Sequence, residues 1–194
     1  MPPADGAPAL EREAEAPRRE RTHLEQVMFQ LAREHAEAAV RCAESQPPDR
    51  SGERTHSLVA ILMAYFALEA FINMVGEDRL GSRFRYYDRM PPEGKWVEVT
   101  RLVSKTGQTF AEDGEELRSL TMLRTWRNML THYKGRFAET SDAQGGTRVD
   151  SLLVAPNALK AVEVARLLYR RFYELDRRSP PRRFVWLDDR PGGR

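Results

Sequence analysis

The sequence predicts an all-α protein, an antiparallel up-and-down helical bundle of four long helices plus one short helix. Apolar residues recur at helical spacing in four long segments of the chain. No glycine-rich phosphate loop, cysteine pair or internal repeat points to another fold class. With 194 residues, 41% of them hydrophobic, the chain can bury one core of ordinary size without disulfides.

Composition divides the chain into three parts. Residues 1–18 are rich in proline and alanine and lack the apolar stretch of a secretory signal, which predicts a mobile leader. Residues 19–177 form the predicted bundle domain, and residues 178–194 a C-terminal tail whose apolar run at 184–187 could dock on the bundle. The lone Cys42 can form neither an internal disulfide nor a metal cluster, which favours a cytoplasmic protein, and no cofactor is predicted. The formal charge of +2 gives no general nucleic-acid signal.

The helices are expected at 20–44, 57–75, 95–105, 113–134 and 157–176, the third being the short one. The segment 57–75 is apolar on nearly all sides, and its length is close to that of a membrane span. Because Glu69 and Asn73 interrupt it, and no other such segment exists, we interpret it as the central helix of a soluble bundle without a membrane span.

Helix ends follow from capping residues. Gly76 is predicted to stop the second helix, and Gly135 to follow the fourth. Asp113 with Glu116 matches a capping box at the start of the fourth helix. Residues 148–154 are apolar enough for a short strand in an otherwise polar connection.

The fourth helix carries the strongest candidate site. On a helical wheel of about 100° per residue, Arg127 borders an apolar arc, while Arg124, Asn128, Thr131 and His132 lie on the polar side. Arg127 and His132 are about 140° apart and flank this polar strip. The two residue types are those needed to hold and cleave a phosphodiester.

The chemistry follows from the side chains. The guanidinium of Arg127 offers a permanently charged fork for phosphate oxygens and for the charge of a phosphorane-like transition state. His132, in the last predicted turn, would take the proton of a ribose 2′-OH or give one to the leaving oxygen, without a metal. Asn128 would orient His132 or the phosphate. Arg124, Thr131 and Tyr133 are the predicted substrate-binding residues.

The spacing alone is weak, because 27 of the 31 basic residues are arginines and other Arg–His pairs at this or a similar spacing occur, such as Arg18 with His23 and Arg50 with His56. Structural alternatives therefore stand beside the functional ones. Arg127 could form an ion pair with Glu69 at the edge of the core, and His132 could cap the helix dipole. Trp126 and Tyr133 are better explained as core or dimer contacts than as base-stacking platforms.

The remaining histidines are His23, His35 and His56. They share no metal-ligand spacing in the sequence, and they are predicted to be structural or surface residues.

The motif from Arg127 through Asn128 to His132 resembles the Arg-polar-x-x-x-His signature of HEPN domains. The upstream segment 67–73, with Glu69 embedded in an apolar helix, and Lys95 with Trp96 are similar to the layout of that family. The resemblance covers roughly residues 20–176.

The resemblance implies an all-α, often dimeric, metal-independent ribonuclease, with Arg127 and His132 of two subunits meeting in one composite site and Glu69 supporting it. It also implies a toxin or defence component, with an antitoxin or nucleotidyltransferase as partner. Tyr133 follows His132 directly, whereas partner-regulated members commonly carry His-x-Tyr. The alternatives are a non-catalytic HEPN-like module that binds RNA, nucleotide or a partner protein, and a plain helical scaffold.

Overall fold

The structure, a computed structural model, describes residues 23–132 and 149–177. Across these residues the chain is helical and contains no strand, so the predicted all-α bundle of four long helices and one short helix is confirmed. A 3-10 helix at Gly81–Tyr86 follows the second helix directly. The α-helices are α1 (Leu24–Glu44), α2 (Arg50–Leu80), α3 (Pro92–Val103), α4 (Glu115–Thr131) and α5 (Ala155–Asp176).

The turn between α1 and α2 is fixed by Asp49. Its carboxylate accepts a hydrogen bond from the backbone N–H of Gly52 at 2.9 Å, which caps the first turn of α2. The backbone N–H of Asp49 donates to the carbonyl of Cys42 at 2.9 Å. The cap lets α2 begin at Arg50, earlier than the apolar pattern that starts at Ser57 predicts.

The end of α2 differs from the prediction that Gly76 stops it. The helix continues through Gly76 to Leu80, and Gly81 ends it with φ 54° and an N–H that donates to the carbonyl of Glu77. Gly76 is buried, and a Cβ atom there would lie 2.3 Å from the ring of Phe84. The prediction was wrong because this glycine permits close packing of the 3-10 helix instead of a left-handed turn.

We expect Gly76→Ala to lower the free energy of unfolding by about 1–3 kcal/mol, because the new methyl group overlaps the Phe84 ring. Urea denaturation followed by circular dichroism measures this loss. Gly94→Ala is the matched control, since its Cβ would meet only the flexible end of Met90 at 3.1 Å. A loss no larger than that of the control would contradict the packing account.

Helices α1, α2 and α5 form the main core, and α3 and α4 pack beside α2 and α5. Phe71 of α2 lies at the centre of an aromatic cluster. Its ring centroid is 4.8 Å from that of Tyr169, 5.1 Å from Phe172 and 5.7 Å from Trp96. These four side chains are almost completely buried, so the cluster joins α2, α3 and α5.

Contacts at both ends show that α2 and α5 are parallel neighbours. Near their starts, the buried carboxylate of Glu53 accepts a hydrogen bond from the backbone N–H of Ala155 at 3.0 Å. Near their ends, Arg79 pairs with Asp176 at 2.7 Å. In an up-and-down bundle of the four long helices α1, α2, α4 and α5, the second and the fourth run in the same direction, so these contacts are compatible with the predicted order, which stays a prediction.

The helical stretch Arg50–Tyr86, which contains α2, has the length and apolar composition needed to cross a membrane, with a mean hydropathy of 2.1 in its most apolar window. Half of that window is buried inside the protein. A core helix that neighbours cover on several sides has the same composition, so this stretch alone is weak evidence for a membrane span.

Helix α4 is shorter than predicted at both ends. Its N-cap is Gly114, not Asp113, and the capping box with Glu116 does not form. Glu116 instead lies 3.6 Å from Arg171 of α5, and the Asp113 carbonyl accepts from the Arg118 side chain. Interhelical pairing of Glu116 thus replaces the local cap.

Four further sequence predictions fall partly or wholly outside the described residues. The described part of the predicted strand, residues 149–154, forms turns in which the N–H of Leu152 donates to the Val149 carbonyl, so the strand prediction was wrong there. The leader 1–18, the helix end at Gly135 and the tail 178–194 lie outside the described residues.

Candidate functional site

Arg127 lies on the side of α4 that faces α2. Its guanidinium carbon is 5.4 Å from the ring centroid of Tyr65 and 5.9 Å from that of Phe66, within the range of cation–π attraction. Its Nε is buried without a hydrogen-bond partner, whereas Nη1 donates to Oδ1 of Asn128 at 2.9 Å in an exposed hydrogen bond. The guanidinium is therefore held on two aromatic rings with one edge at the surface.

The residues after Arg127 are positioned by the last turn of α4. Thr131 donates its hydroxyl proton to the carbonyl of Arg127 at 2.9 Å, and the backbone N–H of His132 donates to the Asn128 carbonyl at 3.0 Å. His132 is the C-cap, with φ −109° and ψ 26°, and its side chain is exposed. The predicted angle of about 140° between Arg127 and His132 assumed that His132 is helical. That assumption was wrong, because α4 ends at Thr131 and His132 lies just beyond it.

Arg124 is engaged with another helix. Its guanidinium pairs with the carboxylate of Glu93 in α3 at 2.8 Å, and the Thr121 hydroxyl donates to the other oxygen of that carboxylate at 3.0 Å. This network attaches the middle of α4 to the start of α3. To bind a substrate phosphate, the Arg124 guanidinium would have to contact it while paired with the Glu93 carboxylate.

Glu69 lies on the same part of α2, one helical turn after Tyr65. No ion pair joins it to Arg127 in the part of the chain that the structure describes, so the structural alternative for Arg127 takes another form, the contact with Tyr65 and Phe66. Burial and then the negative charge of Glu69 raise the pKa of Tyr65 above its usual value of 10.0, against the opposing charge of Arg127. Tyr65 thus lies in the fields of both charges.

The structure therefore brings Arg127, Asn128, Thr131 and His132 together at the end of α4. Tyr133, the third predicted substrate-binding residue, lies outside the described residues. Sequence reasoning missed Tyr65 and Phe66, which it treated as core residues of an apolar helix. The signal that could have found them is an arginine on the apolar border of α4, since such a charge needs a buried partner.

Across 23–132 and 149–177, no group of three or more His, Cys, Asp or Glu side chains is placed to hold an ion. What the end of α4 offers is a cation held on two rings and, five residues later, an exposed imidazole, the two group types that suit binding of an anion and proton transfer.

Two buried tyrosines predict how the free energy of unfolding changes at alkaline pH. Burial raises the pKa of Tyr169 well above 10.0, as it raises that of Tyr65. Above about pH 10 the unfolded chain loses these protons while the folded chain keeps them, so the free energy of unfolding falls as pH rises. Chemical denaturation between pH 9 and 11 should show this fall, with a smaller slope in Tyr169→Phe and Tyr65→Phe.

Tyr86→Phe is the control for that series, because the Tyr86 side chain is 69% exposed and its hydroxyl is not removed from water by burial in the core. Equal slopes for all three variants and the parent chain would show that buried tyrosines do not cause the alkaline loss.

Comparison of the chain with known protein families, with curated proteins and with solved structures gives no match.

Proposed function

We propose that the protein is a HEPN-type, metal-independent endoribonuclease whose site is formed by Arg127, Asn128 and His132. The observation that carries this proposal is the position of Arg127, held on the rings of Tyr65 and Phe66 with its outer edge bonded to Asn128, one turn before an exposed imidazole. Preorganised positive charge lowers a barrier most when no reorganisation is needed during the reaction.

The reaction is a transesterification. The 2′-oxygen of the ribose attacks the phosphorus while a neutral imidazole of His132 takes its proton, and the bond from phosphorus to the 5′-oxygen breaks. A protonated His132 donates to the leaving 5′-oxygen. The products are a 2′,3′-cyclic phosphate and a 5′-OH. Arg127 stabilises the charge on the phosphoryl oxygens, and Thr131, Arg124 and Tyr133 contact the flanking substrate.

Two imidazoles are needed for simultaneous acid and base catalysis, and each chain supplies one at this site. The proposal therefore includes a homodimer in which two copies of Arg127 and His132 face one cleft. Solution scattering at micromolar concentration tests the dimer directly. A monomer under these conditions would contradict the composite site.

The biological setting of such an activity is a cytoplasmic toxin or defence component that acts on RNA. In that setting an antitoxin, or a nucleotidyltransferase that modifies the chain, would control the cleavage. Identification of what the neighbouring gene encodes tests this part of the proposal separately from the chemistry.

The experiment on the chemistry compares cleavage of mixed RNA in EDTA by the parent chain, Arg127→Ala and His132→Ala. We expect cleavage by the parent that both variants lose. Arg118→Ala, on the exposed surface of the same helix, and His23→Ala are the matched controls and should cleave like the parent. Cleavage that EDTA abolishes, or that survives in both site variants, would contradict the proposal.

A non-catalytic module that binds RNA, nucleotide or a partner protein is the second candidate. The contact of Arg127 with two rings and its exposed Nη1 suit this candidate as well, because a cation held in this way can bind an anion without any reaction. RNA binding by fluorescence anisotropy without cleavage of any RNA would support the module over the enzyme.

A further inference from the structure

A pair of histidines joins α1 to α2 outside the candidate site. The Nδ1 atoms of His35 and His56 are 2.9 Å apart, although the residues are separated by 21 positions in the sequence. The ring centroids are 5.0 Å apart and the ring planes are tilted by 47°. Both side chains are partly exposed. Neither residue has a part in the proposed ribonuclease chemistry.

The contact fixes the protonation of the pair. A hydrogen bond between two Nδ1 atoms needs one N–H donor and one lone pair, so at least one of the rings is neutral. Two protonated rings would place two donors against each other. When both rings are neutral, transfer of the donor's proton from Nδ1 to Nε2 through solvent leaves both Nδ1 lone pairs free without changing the charge; a protonated donor ring would instead release its Nδ1 proton to water.

The distance between the two nitrogens matches neighbouring positions on a metal ion. With metal–nitrogen bonds of about 2.0–2.1 Å, two ligands that subtend 90° are about 2.9 Å apart, and two at the tetrahedral angle about 3.4 Å apart. The observed 2.9 Å is therefore close to the spacing of two ligands on one ion, while the ring-centroid distance of 5.0 Å does not favour the right-angled over the tetrahedral arrangement. Among divalent first-row ions, Cu²⁺ is expected to bind such nitrogen ligands most tightly.

We propose that His35 and His56 bind a divalent late first-row transition metal through their Nδ1 atoms, Cu²⁺ most tightly. No third His, Cys, Asp or Glu joins them within the residues that the structure describes, so water completes the coordination sphere. The partial exposure of both rings gives this water access. The ion links α1 to α2, and by mass action it stabilises the folded chain.

The test uses an untagged chain with His23→Gln and His132→Gln, which removes the other two histidines and leaves the pair. Cu²⁺ alone is the probe. We expect one ion per chain by calorimetry, a rise in the thermal midpoint, and an electron paramagnetic resonance spectrum with hyperfine coupling to two imidazole nitrogens. A further His35→Gln or His56→Gln should weaken binding by about tenfold or more. Ni²⁺ and then Zn²⁺ should bind more weakly than Cu²⁺.

The paramagnetic resonance spectrum of the chain that carries only His23→Gln and His132→Gln tests the site even if His35→Gln or His56→Gln disturbs folding. Coupling to one nitrogen only, or equal Cu²⁺ binding after removal of either histidine, would overturn the proposal. Absence of Cu²⁺ binding in the background chain would overturn it as well. None of these outcomes bears on RNA cleavage, because the ribonuclease proposal does not use this pair.

Discussion

Phe71→Ala is expected to lower the free energy of unfolding by about 3–5 kcal/mol, the largest stability effect of any single substitution considered for this chain. The Phe71 ring is 1% exposed and contacts Tyr169, Phe172 and Trp96. Its removal leaves a cavity between α2, α3 and α5 that these large, fully buried neighbours cannot fill. Urea denaturation of the parent and the variant gives the difference.

Tyr86→Ala serves as the control for this loss. Its ring is also aromatic, but it is exposed and lies in the 3-10 helix, so we expect a change within about 0.5 kcal/mol. A cost for Phe71→Ala below about 1.5 kcal/mol would show that the aromatic cluster is not the centre of the core.

His132→Ala is expected to lower the rate of RNA cleavage by at least about 100-fold, the usual contribution of a positioned acid or base. Arg127→Ala should cost as much, because removal of one charged donor to the transition state has effects of about 100-fold or more. Arg127→Lys keeps the charge but loses the fork and the flat contact with Tyr65 and Phe66, so we expect it to retain little activity.

Single-turnover cleavage in EDTA measures these rates, and circular dichroism shows whether each variant keeps its helices. Phe66→Leu tests how much the rings that hold Arg127 contribute to the rate. It removes one ring next to the guanidinium and should slow cleavage less than Arg127→Ala does. Full activity in Arg127→Lys would argue that a point charge suffices and that the fixed guanidinium is not required.

The helices could be predicted because their apolar residues repeat at helical spacing, and the predicted ends of α1 at Glu44 and of α5 at Asp176 are confirmed, but other ends were wrong. Gly76 has the residue type of a helix stop, and only the position of Phe84 against it shows why the helix continues. Asp113 and Glu116 have the spacing of a capping box, yet Glu116 lies near Arg171, 55 positions further along the chain. A contact with the next element decided the first position and a contact with a distant helix decided the second, and residue type and spacing alone predict neither contact.

The same limit applies to the candidate site. Arg127, Asn128, Thr131 and His132 are close in sequence, so a helix pattern brings them together without knowledge of the fold. The rings beneath Arg127 belong to α2, and the partner of Arg124 is Glu93 of α3; neither follows from the pattern on α4.

The two remaining features of interest also depend on the fold. His35 and His56 have no ligand spacing in the sequence, and the packing of α1 against α2 places their Nδ1 atoms 2.9 Å apart. Tyr65 looks like an ordinary core residue in the sequence, whereas burial beside Glu69 raises its pKa.

The chemical identity of the RNA ends is the most direct measurement of the proposed mechanism. Mass spectrometry of a defined oligoribonucleotide, incubated with the parent chain in EDTA, distinguishes a cyclic phosphate from a linear one by the mass of one water. We predict fragments with 2′,3′-cyclic phosphate and 5′-OH ends. Fragments with 3′-OH and 5′-phosphate ends, or RNA that stays intact, would contradict attack by the 2′-oxygen at the Arg127–His132 site.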